Sequence, residues 1–228
     1  NPIDVPPGAV AFVAAQLGIT DLSCLPRYLE RETTHREHAG EIQRSYEYQD
    51  FIDQPAHFQL VRWLYTRAWL TAERPSVLFD LATARLVDRK ILLPGVNQLA
   101  RLVASVRDHA QERLWRVLAQ IPTTEQRHLL ETLLIIPEGE RQTPLDRLRR
   151  APTRVTAPAL VAALHRIDAV RLLGVRELDL SFLPAGRIKA LARYVQAVRI
   201  QTLSRMPEDR RLASLLGLAR NRINLDLI

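Results

Sequence analysis

The chain has 228 residues, 47% of them apolar, which is enough to bury a core and excludes a disordered tail. Its net charge is +7, and 30 of its 32 basic residues are arginine, Lys90 and Lys189 being the exceptions. No apolar run approaches the ~20 residues of a bilayer span, and the lone Cys24 excludes an internal disulfide and a cysteine-built zinc site. A reducing, cytoplasmic setting without membrane attachment is expected. No secretory leader is expected either, because the opening is proline-rich and has no basic stretch. A start at Asn1, with Met206 as the only methionine, suggests a piece of a longer protein.

Taken in chain order, nearly every segment has helical period. Pro6-Pro7 can open a first helix with Val10, Val13, Ala14 and Leu17 on one stripe, closed by Gly18. Thr20 or Asp21 can cap a second, carrying Leu22, Leu25, Tyr28 and Leu29. Arg31 to Tyr48 is a highly charged helix with a break possible at Gly40, and Asp53 can cap a helix through Trp69. Another starts near Pro75, Ile91 to Gly95 is a turn, and a long helix is expected from about Val96 to Gln120. Thr123 or Thr124 caps a helix ending near Ile136. Pro137 to Pro158, rich in proline, arginine and glutamate, is expected to be a linker with a brief helix around Leu145 to Leu148. Three helices follow, at Pro158 to Leu173, Pro184 to Arg205 and Pro207 to about Asn221. No segment has sustained period-two alternation, so the expected fold is all-α, a multi-helix bundle with helix-turn-helix-like units. The expected division is 1–136 as a first helical subdomain, 137–157 as linker and 158–228 as a second, basic subdomain.

The charge is unevenly placed. Residues 1–150 hold 19 basic and 19 acidic side chains, and residues 151–228 hold 13 and 6, so the whole excess lies in the last third. Such asymmetry favours a polyanion partner, and arginine's planar fork suits phosphates and guanine edges.

Three constellations can use that charge. The first is Arg31, Thr34, His35, Arg36 and His38, whose side chains can donate to phosphates and base edges; the alternative is an ordinary solvated helix face. A zinc site at His35, His38 and Glu41 lacks the His-Glu-x-x-His spacing that would make it specific. The second is the pair of helices around the Ile91 to Gly95 turn, where Asn97, Gln98 and Arg101 would meet base edges at the start of a recognition helix, with Arg107 further along. Two packed bundle helices with a polar outer face would give the same pattern. The third is Arg187, Lys189, Arg193 and Arg199, followed by Arg210 and Arg211, a basic surface suited to phosphates. No glycine-rich phosphate loop, nucleophile elbow or cysteine–histidine arrangement points to catalysis.

These segments, in order, resemble the N-terminal region of Tn3-family transposases. The resemblance rests on Gly8 to Gly18, Arg31 to His38 leading to Ile42, Leu92-Leu93-Pro94-Gly95 with Leu99 to Val103, Pro184 with Arg187 to Leu191, and Arg210 to Ala213. His35 departs from the family, in which arginine is usual. The resemblance implies a helical DNA-binding region that recognises the terminal inverted repeats of the element, with double-stranded DNA, the rest of the transposase and a second protomer as partners. It implies that cutting and joining belong to a separate RNase H-like domain, of the DDE type, using acidic residues and divalent metal. No cofactor is expected in this chain, which is then not itself an enzyme. The alternative is a helical assembly or dimerisation module of the same transposase.

Overall fold

A computed structural model describes residues 5–23, 32–52, 54–149 and 156–225, with side chains for all of these except 32–35, 54 and 224–225. Eleven α-helices lie among the described residues: α1 Pro7–Leu17, α2 Glu32–Tyr46, α3 Gln54–Leu70, α4 Pro75–Asp88, α5 Val96–Gln120, α6 Thr124–Thr132, α7 Pro144–Arg149, α8 Ala157–Leu172, α9 Ala185–Ala197, α10 Ile200–Ser204 and α11 Glu208–Leu225. The chain is all-α, as its periodicity requires. The described residues contain no strand, only an isolated parallel bridge between Gln49 and Ile91. They form two compact units, 1–56 with 85–93, and 57–84 with 94–228.

The first unit is organised by helix ends. α1 closes at Gly18 (φ 68°), whose N–H and that of Ile19 bond the carbonyls of Ala15 and Ala14. α2 and α4 close the same way without glycine, because Glu47 (φ 61°) and Lys90 (φ 53°) occupy the left-handed position. That conformation costs a side-chain-bearing residue about 1–2 kcal/mol. It is held by the caps themselves, with Tyr48 N–H on Gln43 O and Ile91 N–H on Leu86 O, both 2.8–2.9 Å. Lys90 Nζ also lies 3.2 Å from Glu47 Oε2, and Gln49 exchanges both backbone bonds with the 90–92 strip. Gly40 does not break α2, which runs through it. Residues 24–31 and Asp53, where one helix and one cap were expected, lie outside the described residues.

The second unit is built around α11. Every residue from Leu212 to Ala219 is buried, a helix apolar on all sides. α9 and α5 pack on it most extensively, joined by α6, α8 and the 3-10 turn Val175–Glu177. α5 supplies Leu99, Val103, Val106, Ala110, Leu114 and Leu118 at three- and four-residue spacing. The approach of α9 is closest at Gly217, where an added Cβ would lie 2.6 Å from Leu191 Cβ.

The expected linker falls inside this second unit. Leu145 and Leu148 of α7 are buried in the same apolar cluster as Leu130, Val170 and Leu216, so residues 137–149 contribute to the core and do not separate two cores. α7 starts in a capping box, Thr143 Oγ1 accepting from Asp146 N–H while Asp146 Oδ2 accepts from Thr143 N–H. α6 has the same device in Thr123 and Gln126 but ends at Thr132, short of Ile136. The single helix expected from Pro184 to Arg205 is two, because Val198 and Arg199 turn extended (ψ 141° and 144°) between α9 and α10.

Two measurements test this packing. Gly217→Ala should cost about 1–3 kcal/mol by overpacking, read as a lowered urea midpoint, whereas Gly186→Ala, with open space at its Cβ, should not. Glu73 takes a bidentate bond from Arg67 at 2.6 and 2.8 Å, which holds its carboxyl below the usual 4.5. The pair's contribution is therefore full above pH 4.5 and lost as pH falls through Glu73's own lower value. Glu73→Gln should flatten that part of the stability–pH curve, and an unchanged acid limb would show that the pair contributes nothing.

Candidate nucleic-acid interface

α5 starts where Pro94 and Gly95 end the preceding turn. Gly95 has no side chain to cap the helix, and its carbonyl already accepts from Gln98 and Leu99 N–H at 2.9 and 3.0 Å. The first turn therefore presents free amides and the positive end of the helix dipole. Asn97, Gln98 and Arg101 are all exposed there, while Leu99 and Val103 turn into the core. Arg101 has no ion pair among the described residues. Asn and Gln can bond adenine bidentately and Arg can bond guanine, so this turn exposes residue types capable of base contact. Arg107, two turns on, is half-buried, with Nη1 3.5 Å from Asp108 Oδ1.

The basic residues of the last third divide by burial. Arg187 is only 4% exposed and donates from Nη1 to Thr71 O at 2.7 Å. Burial, and secondarily the charge of Arg107, push its guanidinium below its ordinary range. Arg210 lies over the Trp115 and Tyr194 rings, 4.7 and 5.4 Å from their centroids, and bonds Tyr194 Oη at 2.8 Å. Arg211 takes both carboxylate oxygens of Glu131 on Nε at 2.9 and 3.0 Å and bonds Met206 O with Nη1. These three, expected to grip phosphates, are engaged within the fold, where they tie α5, α6, α9 and the 71–73 turn to their neighbours. Their place had a sequence signal: Arg187 lies one turn before Leu191 on the apolar stripe of α9. Lys189 and Arg193, on the outer face of the same helix, are exposed and remain available, as is Arg199.

In the first unit, Arg36 and His38 are exposed on α2. Thr34 and His35 belong to the same helix, but their side chains lie outside the described residues, and Arg31 does so entirely. Among the described residues no cluster of three or more His, Cys, Asp or Glu could hold a metal, and no helix is long and apolar enough to cross a membrane. Sequence reasoning missed Arg149 and Arg220, both part-buried; Arg220 Nη1 donates to Val175 O and to Arg176 O.

Residues 1–106 match a family model described as a domain of unknown function, DUF4158. The transposase for transposon gamma-delta of Escherichia coli K12 is 45% identical over 209 residues, covering 92% of this chain and 21% of that protein. The transposase for transposon Tn501 of Pseudomonas aeruginosa is 27% identical over 212 residues, covering 93% and 21%. That for Tn21 of Escherichia coli is 24% identical over 192 residues, covering 84% and 19%. The class these matches define is that of transposases. Within it, the chain belongs with the Tn3-family transposases and spans about a fifth of the length of the curated relatives it matches.

The division of the arginines by burial is testable. Arg211→Ala should lower the urea midpoint, because Glu131 and two carbonyls lose their donor, while Arg193→Ala should stay within about 0.5 kcal/mol of the parent. Equal effects would show that the two arginines are not distinguished by burial.

Proposed function

We propose that the chain binds the terminal inverted repeats of a Tn3-type transposon, as the part of a transposase that holds DNA ends and does not cut them. One observation carries this: the exposed Asn97, Gln98 and Arg101 on the uncapped first turn of a long, well-anchored helix. The names of the relatives as transposases supply the nucleic-acid context. In this proposal α5 meets base edges with those three side chains. Lys189 and Arg193 hold the backbone and Arg107 adds charge, while Arg36 and His38 on α2 supply further contacts. The cutting and joining chemistry, of the DDE type with divalent metal, is assigned to other parts of such a transposase.

A second reading, assembly with another protomer, is favoured by the exposed Leu160, Val161, Leu164 and Leu172 on α8, an apolar face left uncovered among the described residues. It predicts a concentration-dependent dimer by sedimentation and DNA binding with little salt dependence.

The deciding experiment titrates the chain with a duplex of the element's own terminal repeat and with a shuffled duplex, across salt. The repeat should be preferred and affinity should fall steeply with salt. Arg101→Ala should cost roughly 1–3 kcal/mol on the repeat and abolish the preference, whereas Arg193→Ala should weaken both duplexes alike and reduce the salt slope by about one. Equal binding of both duplexes by the parent chain would overturn end recognition.

A further inference from the structure

Where α7 ends beside the break between α9 and α10, a cleft of about 500 Å³ opens, with Asp146, Arg149, Gln196, Arg199 and Gln201 among its lining residues. Arg149 is the unusual member. Its Nη2 donates to Val195 O, its Nε is buried with no partner, and it forms no ion pair among the described residues. Burial lowers the affinity of this guanidinium for its proton. A cation taken out of water without a counter-charge is costly, and the deficit is normally met by a bound anion or a carboxylate. Asp146 shares the cleft and its charge partly offsets the burial of Arg149, but it makes no ion pair with it, its Oδ2 accepting from the N–H and hydroxyl of Thr143 at 3.4 and 3.1 Å in the cap of α7.

We infer that this cleft is a phosphate clamp, in which Arg149 and Arg199 together hold one phosphodiester of the bound DNA. The chemistry fits: the guanidinium groups of Arg149 and Arg199 and the amides of Gln196 and Gln201 line one cleft, from α7 and the α9–α10 turn, and supply donors for a backbone phosphate. The site carries no base-reading geometry, so it positions the duplex and does not select its sequence. Arg149, preset by Val195, loses little freedom when the phosphate arrives, and the exposed Arg199 closes from the solvent side. The extended Val198 and Arg199, which interrupt what would otherwise be one helix, bring Arg199 into the lining of this cleft.

The inference rests on the DNA-binding proposal, and its test separates the two. The 228-residue chain and its Arg199→Ala and Arg149→Lys variants are titrated across salt with the terminal-repeat duplex, with a shuffled duplex, and with repeat duplexes carrying one neutral methylphosphonate at each position in turn. Urea midpoints report folding, and Arg199→Ala, at an exposed position, should keep that of the parent. Arg199→Ala should bind both duplexes roughly tenfold more weakly, with a salt slope smaller by about one. One methylphosphonate position should weaken the parent chain and have no further effect on the Arg199→Ala variant. Arg149→Lys, which keeps the charge but not the fork, should show the same insensitive position. If the parent prefers the repeat but Arg199→Ala binds with unchanged affinity and slope, and every methylphosphonate acts equally on both, the clamp is wrong and end recognition stands. If the parent binds neither duplex, both fall.

Discussion

The second unit depends on a helix that has no solvent face along its middle. From Leu212 to Ala219 α11 is buried on every side, so its neighbours must cover the whole circumference. The tightest constraint in that arrangement is Gly217 against Leu191, where the backbones of α11 and α9 come too close for a β-carbon. This closeness positions α9, and α9 in turn presents Lys189 and Arg193 outward and Arg187 inward. α5 packs on the same helix, with Leu114, Leu118 and Ala119 in the shared cluster, while its first turn is exposed.

The arginines show how one residue type serves two purposes. A guanidinium has weaker hydration than an ammonium and can lie over rings or bond carbonyls while its stem packs against apolar surface. Arg210 on Trp115 and Tyr194, Arg211 on Glu131, and Arg187 on Thr71 O use that capacity to join elements far apart in the chain. The positive excess of the last third is therefore partly spent inside the fold. What remains on the surface includes Lys189, Arg193 and Arg199 together with Arg171, Arg176 and Arg205.

Local signals in the sequence were good guides to where helices begin and end. Gly18 closes α1, Val96 opens α5 after Pro94-Gly95, and Thr123 caps α6 with Gln126 returning the bond. Such signals act over a turn or two of backbone, so a single sequence carries them intact. The positive φ of Glu47 and Lys90 had no such signal, because those caps are completed by a bridge between residues some forty positions apart. The brief helix of α7 was expected, but its burial in the core was not, for a related reason. Six residues are too few to show a period, and Leu145 and Leu148 are drawn into the core by partners on α6 and α8 onward.

By itself the sequence determined an all-helical chain, the limits of most of its helices, the location of its excess charge and its kinship with Tn3-family transposases. Only the tertiary structure decided which cations face water. Composition counts charges without direction, and direction depends on which side of each helix meets α11. Arg187 and Lys189 stand two residues apart, roughly 200° around a helix, so packing buries one and leaves the other exposed. The same physics made Arg149 a half-buried cation bonded to Val195 O: much of its surroundings comes from residues nearly fifty positions away, which no local pattern records.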